Sequence, residues 1–169
     1  MVSVSVKVSL PKSDAFQSKK WLEEISRVQR QTSVPRLKKL FQQTVFGWSA
    51  AKKPDFGWAQ QRTSDEMSIS IYPTGAAAGT WELVNAGSPA HIISPRRGGF
   101  LRFRPGYRSA TTAGSIQSRR AYRSGQFVGA RIVHHPGFEA RKFTELIAQE
   151  YENPYMNDMQ GALNKIARS

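Results

Sequence analysis

Residues 67–104 read MSISIYPTGAAAGTWELVNAGSPAHIISPRRGGFLRFR. Met67, Ile69 and Ile71 alternate with serine, the period-2 pattern of a half-buried strand, which stops before Pro73. Gly75 to Gly79 is a small-residue turn. Trp81 to Val84 predicts a second short strand, and Asn85-Ala86-Gly87-Ser88-Pro89 is a turn by its residue types. Phe100-Leu101-Arg102-Phe103-Arg104 predicts a third strand, with its two arginines on one face. Phe100 and Phe103 are expected to pack inward. Strands that follow one another through short turns pair antiparallel.

Moving outward, Val2, Val4, Val6, Val8 and Leu10 alternate with Ser and Lys, so the chain opens with a strand ended by Pro11. Ser13 or Asp14 can cap a helix carrying Phe16, Trp21, Leu22, Ile25 and Val28 at helical spacing. Thr32-Ser33-Val34-Pro35 interrupts that pattern. Pro35 suits the first turn of a second helix, whose apolar stripe is Leu37, Leu40, Phe41, Val45 and Trp48. Lys52 to Asp65 is polar, contains Pro54 and Gly57, and reads as a loop. Beyond Arg104, residues 105–126 supply few large apolar groups and read as a mobile loop or arm between two hairpin strands. Phe127 to His134 closes that hairpin. After Pro136-Gly137 a helix is expected from near Ala140, with Phe143, Leu146 and Ile147, breaking at Asn153-Pro154. A last helix carries Met156, Met159, Leu163 and Ile166. The order β, α, α, several strands, then α makes this an α+β fold. It is an antiparallel sheet with an N-terminal helix pair and C-terminal helices packed on it, and a long arginine-rich hairpin arm. No internal period recurs, and the 169 residues suit one domain, 1–169.

Composition narrows the function classes. Lys and Arg number 25 against 12 Asp and Glu, for a formal net charge of +13, and 18 residues are aromatic. That aromatic supply separates the chain from disordered sequences. The absence of cysteine excludes disulfides, thiolate metal ligands and a cysteine nucleophile. No apolar run approaches the ~18 residues that span a bilayer, and the alternating N-terminus lacks a signal-peptide core. The charge is concentrated. No acidic residue stands between Glu82 and Glu139, where Arg96, Arg97, Arg102, Arg104, Arg108, Arg119, Arg120, Arg123 and Arg131 lie. Such a block favours a polyanion or an acidic protein surface. From Glu139 onward four basic residues meet five acidic ones.

Catalytic signals are missing. Among His91, His134 and His135, the adjacent pair points to opposite faces of a strand and makes a poor metal site. No nucleophile elbow, Walker loop, dinucleotide fingerprint, zincin or EF-hand spacing occurs. The reading is therefore non-enzymatic, with no cofactor and no metal. For nucleic acid, the charge footprint is present, and aromatics interleave with arginines, but no helix concentrates the arginines for groove reading.

One set of residues is recognisable by its order. Trp81-Glu82-Leu83-Val84 leads through Gly87-Ser88-Pro89 to His91 and Ile93. Leu101-Arg102-Phe103 follows, then His135-Pro136-Gly137 before Arg141 and Phe143. This resembles the neck, or tail-completion, proteins of long-tailed bacteriophages, related to minor tail protein Z of lambda-like phages, over about 60 residues of the chain. The turn reads Asn-Ala-Gly-Ser where a Phe-Gly-Thr form is common, and Lys142 stands where proline is frequent. The resemblance implies a virion structural protein at the head–tail junction, assembled in the host bacterial cytoplasm. It implies a ring, hexameric first and dodecameric next, between the head-completion or connector proteins and the tail terminator or tube. Genomic DNA would pass through the lumen, and no membrane is involved. The family has no catalytic residues to transfer, and its motif residues would be structural. The arginines from Arg96 to Arg123 would face a neighbouring ring or the DNA. The competing reading is a small basic nucleic-acid-binding protein.

Overall fold

A computed structural model of the chain describes residues 3–9, 18–63, 66–96 and 98–168. The expected helix cap at Ser13 or Asp14, with Val2, Leu10, Pro11 and Phe16, lies outside the described residues, as does Arg97. The fold is α+β with antiparallel pairing throughout.

The first strand, β1 (Val4–Ser9), is followed by α1 (Ser18–Val28), a π-helical turn (Gln29–Ser33) and α2 (Val34–Thr44). The sequence predicted an interruption at 32–35, yet the chain stays helical through it. The Val34 N–H donates to the Gln29 carbonyl five residues back. Pro35 has no N–H to give, and the ladder slips by one residue just before it. Of the stripe expected on α2, Leu37 and Phe41 are fully buried and Leu40 packs with them, whereas the helix ends at Thr44 and Val45 and Trp48 reach the core from the turn after it.

Residues 52–65, expected to be a loop, instead contain β2 (Asp55–Arg62), which pairs along its whole length with β3 (Glu66–Thr74). The reason it escaped the pattern is that only one residue of β2, Phe56, is buried. The sheet order is β1-β3-β2, so β3 is central, with both neighbours antiparallel. Every second residue of β3 is buried, and Met67, Ile69 and Ile71 lie opposite Val8, Val6 and Val4. That face carries the core.

Trp81 to Val84 is not a strand. It belongs to α3 (Ala78–Ala86), which buries Trp81 and Asn85 one turn apart, with buried Ala77 as its N-cap one turn before them. The C-terminal break is also absent: α4 runs unbroken over Phe143–Ala167 with Pro154 inside. Phe143, Ile147, Tyr151, Tyr155, Met159 and Ala162 form one buried stripe along it, and α4 packs on α1 and α2. Burying that stripe outweighs the roughly 3 kcal/mol that an interior proline costs. Arg36 of α2 grips both oxygens of Asp158 at 2.8 and 2.9 Å, closing the same seam.

A polar chain threads this core. Ser26 Oγ donates to Gln60 Oε1, Gln60 Nε2 to Gln29 Oε1 at 2.9 Å, and Gln29 Nε2 to the Tyr155 hydroxyl at 2.9 Å. Burial raises the Tyr155 phenol above its ordinary value, and burial beside Asp158 pushes Tyr151 up to about 12. The native state thus holds the Tyr151 proton when the unfolded chain releases it near pH 10. Stability from this group is complete below pH 10 and falls as pH rises towards 12, by about 3 kcal/mol in all. An alkaline titration followed by phenolate absorbance and circular dichroism should show Tyr151 and Tyr155 silent near pH 10. A full five-phenol signal with native circular dichroism at that pH would be the contrary result.

Candidate functional site

Beyond α3 the chain runs out and back as a broken two-stranded ribbon. Its rungs are β4 (His91–Ile93) with β9 (Val133–His135), β5 (Leu101–Phe103) with β8 (Val128–Ala130), and β6 (Gly106–Arg108) with β7 (Tyr122–Ser124). Of the motif residues in the resemblance, most meet at its base. Gly87 ends α3 with φ +79°, and Ser88 and Phe138 exchange backbone hydrogen bonds of 3.0 and 2.9 Å. Gly137 has φ +82°, and a Cβ there would sit 2.3 Å from the Ser88 carbonyl oxygen. The turns Gly87-Ser88-Pro89 and His135-Pro136-Gly137 are therefore pressed backbone to backbone, which only glycine permits.

His91 and His135 are cross-strand partners with rings stacked 4.9 Å apart. The Gly137 N–H donates to His135 Nδ1 at 3.0 Å, so His135 carries its proton on Nε2. His91 Nδ1 donates to the Pro89 carbonyl at 2.9 Å. Next along the chain, Arg141 and Lys142 donate their N–H groups to the Val84 and Asn85 carbonyls. The Asn85 side chain accepts from Thr144 N, satisfying a free donor in the first turn of α4. Phe143 then enters the core against Trp81, ring centres 5.7 Å apart. Gly87, Ser88, Pro89, His91, His135, Pro136, Gly137, Arg141 and Phe143 thus make a clasp that holds ribbon, α3 and α4 together. Ile93, half-buried, sits on its first rung, and Phe103 stands outside it on β5.

Residues 105–126 are not the free arm the sequence suggested. Beyond the β6–β7 rung, the tip is packed on the end of α2. Ser118 N and Oγ donate to the Gln43 carbonyl, and Gly47 N donates to Ser118 Oγ at 2.8 Å. A Cβ on Gly47 would lie 1.8 Å from the Arg119 carbonyl oxygen. Ala110, Thr111, Ile116 and Ser118 are buried, and Arg141 Nε donates to Thr111 Oγ1. Small residues cannot build a core, yet they can fill one, and that is the role of this composition.

The outer ribbon surface is unlike the rest of the protein. Phe100 and Phe103 do not pack inward: Phe100 is 62% exposed and Phe103 37%. Ile92, Tyr122, Phe127, Val128 and Ile132 are exposed with them, so seven of the eleven exposed large apolar residues described lie between positions 92 and 132. Arg102 and Arg104 both lean over the Phe127 ring, at 5.6 and 4.5 Å, and Arg131 over Phe100 at 5.5 Å. Each such contact is worth about 0.5–1 kcal/mol at an exposed site. Arg96, Arg108, Arg119, Arg120 and Arg123 are exposed as well. Between the ribbon and Lys52 lies a groove of about 1000 Å³, bordered by Arg102, Arg104, Arg123, Phe103 and Phe127, with no carboxylate in its wall. The sequence marked the arginines of this surface and missed its apolar half. The available signal was Tyr122, Phe127 and Ile132 standing inside the arginine-rich stretch.

Among the described residues, no group of three or more His, Asp or Glu side chains is placed to hold a metal ion, and no helix is long and apolar enough to cross a membrane. No family model, curated protein or solved structure matches this chain.

Proposed function

We propose that this chain is a virion structural protein of the bacteriophage neck. In this reading it completes the tail as one subunit of a ring that joins the head connector to the tail, with DNA passing through. The reading rests on the ordered resemblance between Trp81 and Phe143, whose turns meet in one clasp. The observation that carries it is the ribbon's outer surface, where exposed aromatics lie under arginines. Exposed rings set beside charged side chains are the composition of interaction surfaces, and here Phe100 and Phe127 stand under arginines.

The same surface favours one second reading, a small nucleic-acid-binding protein, because arginine and exposed rings together suit single strands. Binding of an oligonucleotide separates the two. Nucleic-acid binding would weaken steeply with ionic strength, one counterion-release increment per phosphate met. Removing the gene from the phage that carries it is expected to yield full heads and unattached tails under negative-stain microscopy. Intact, infectious virions from that deletion would overturn the neck assignment.

A further inference from the structure

Resting on the ring reading, we propose which two surfaces make the subunit contact: the ribbon of one copy and the outward stripe of α4, with the adjoining groove, of the next. The stripe comprises Glu145, Gln149, Glu152 and Met156, at spacings of four, three and four residues, and all four are exposed. At 1.5 Å per residue it is about 16 Å long. Met156 is 64% exposed, the only large apolar side chain that α4 leaves open to that degree among the described residues.

Beside the stripe, β1 is an outer strand of the sheet. Between β1 and α4 runs a groove of about 350 Å³, floored by Val4 and Val6 and walled by Tyr155, Met156, Glu152 and Lys7, whose ammonium is already paired with Glu66 at 2.7 Å. A space of about 150 Å³ takes one benzene ring, so this groove is wide enough to admit a ring from the ribbon.

The two surfaces answer each other. The ribbon offers Arg102 and Arg104 above Phe127, with no carboxylate between Glu82 and Glu139. The stripe offers two carboxylates beside an open methionine and an apolar slot. Arginine pairs with carboxylate in a planar fork, and methionine sulfur packs well on aromatic rings. Glu152 makes no ion pair among the described residues, and Glu145 meets only Lys142, at 3.7 Å. Because the surfaces belong to different parts of the chain, each copy carries one of each. The contact is heterologous, the type that generates rings when the rotation closes.

Charge reversal on the full chain tests this by sedimentation at low salt. R102E/R104E and Q149R/E152R are each expected to weaken association about a hundredfold and to sediment as the 18.9 kDa chain. All four positions are exposed, so thermal unfolding should stay close to that of the unaltered protein. Mixed one to one, the two variants should reassociate, since the reversed ribbon of one meets the reversed stripe of the other. A multimer that survives both reversals would overturn this contact and leave the ring intact. An unaltered chain that stays monomeric at tens of micromolar would overturn the contact as well. Loss in the ribbon variant alone, together with lost oligonucleotide binding, would assign the ribbon to nucleic acid. Virion microscopy, which does not depend on this pair of surfaces, decides the neck reading separately.

Discussion

Trp81→Ala is expected to cost 3–5 kcal/mol, about the range for emptying a buried aromatic site. Trp81 is fully buried, with ring centres 5.5 Å from Phe41, 5.9 Å from Phe56 and 5.7 Å from Phe143. Those partners come from α2, β2 and α4, so no single element can move to fill the space. The indole N–H also donates to Thr44 Oγ1 at 2.9 Å, while Thr44 Oγ1 donates onward to the Phe41 carbonyl. Truncation therefore leaves Thr44 its own donation and removes only the bond it accepts. Set against a typical total of about 5–15 kcal/mol, the loss removes at least about a fifth of the stability. Urea denaturation followed by circular dichroism should show the midpoint falling by at least about that fraction, with Trp81→Phe recovering most of it. Trp58→Ala, on the outer strand β2 and 37% exposed, should cost under about 1 kcal/mol. A Trp81→Ala midpoint as mild as that of Trp58→Ala would show that the aromatic cluster is not the centre of the fold.

The class of the fold was legible wherever one face of an element is buried and the other wet. The serine-spaced Val and Ile of β1 and β3 and the Leu37–Phe41 stripe of α2 have this property, and each forms the element its period predicts. The misreadings have physical causes. On β2 burial is confined to Phe56, so no alternation exists to be seen. On α3 the segment Trp81–Val84 taken alone looks strand-like, whereas the buried spacing Ala77, Trp81, Asn85 is helical and begins in the alanine run before it. Two prolines that the pattern marks as boundaries are not: Pro73 lies within β3 opposite Phe56, and Pro154 within α4, where the tyrosine stripe buried on either side of it carries the helix through. Pro35 stands in the first turn of α2, as expected, behind a π turn. Local rules price a proline; tertiary burial decides whether the helix continues.

The candidate site divides in the same way. The glycine and proline turns could be named from sequence because their backbone demands are local. Their meeting could not, since Ser88 and Phe138 are fifty positions apart and joined only by backbone atoms. The arginines of the ribbon were visible as composition. The exposure of Phe100, Phe103 and Phe127 was not, because an aromatic residue in a strand is by default a core residue, and only the isolation of a two-stranded ribbon from the main sheet leaves it open.

Gly137→Ala is expected to loosen the ribbon from the body, at a cost of about 3 kcal/mol built from two effects. The first is conformational, because a residue with a Cβ pays roughly 1–2 kcal/mol in the left-handed region. The second is contact: the new methyl meets the Ser88 carbonyl oxygen at 2.3 Å and the Pro89 carbonyl carbon at 2.7 Å, both backbone atoms that cannot swing aside. The turns must separate. The Ser88–Phe138 hydrogen bonds then go, at about 1 kcal/mol each, along with the register that stacks His91 on His135. Gly75→Ala is the matched control, with φ +81° and nothing within 4 Å of its Cβ, so it carries the first effect alone. Hydrogen exchange should show amides of β4 and β9 losing protection in Gly137→Ala while β3 keeps its own, and neither should change in Gly75→Ala. Equal costs for the two variants would mean that the turns give way freely and that the clasp does not hold the ribbon. If it does hold it, Gly137→Ala should also weaken the proposed contact between copies, although Gly137 lies outside both proposed surfaces. A ribbon that presents its arginines in one fixed direction needs a fixed base.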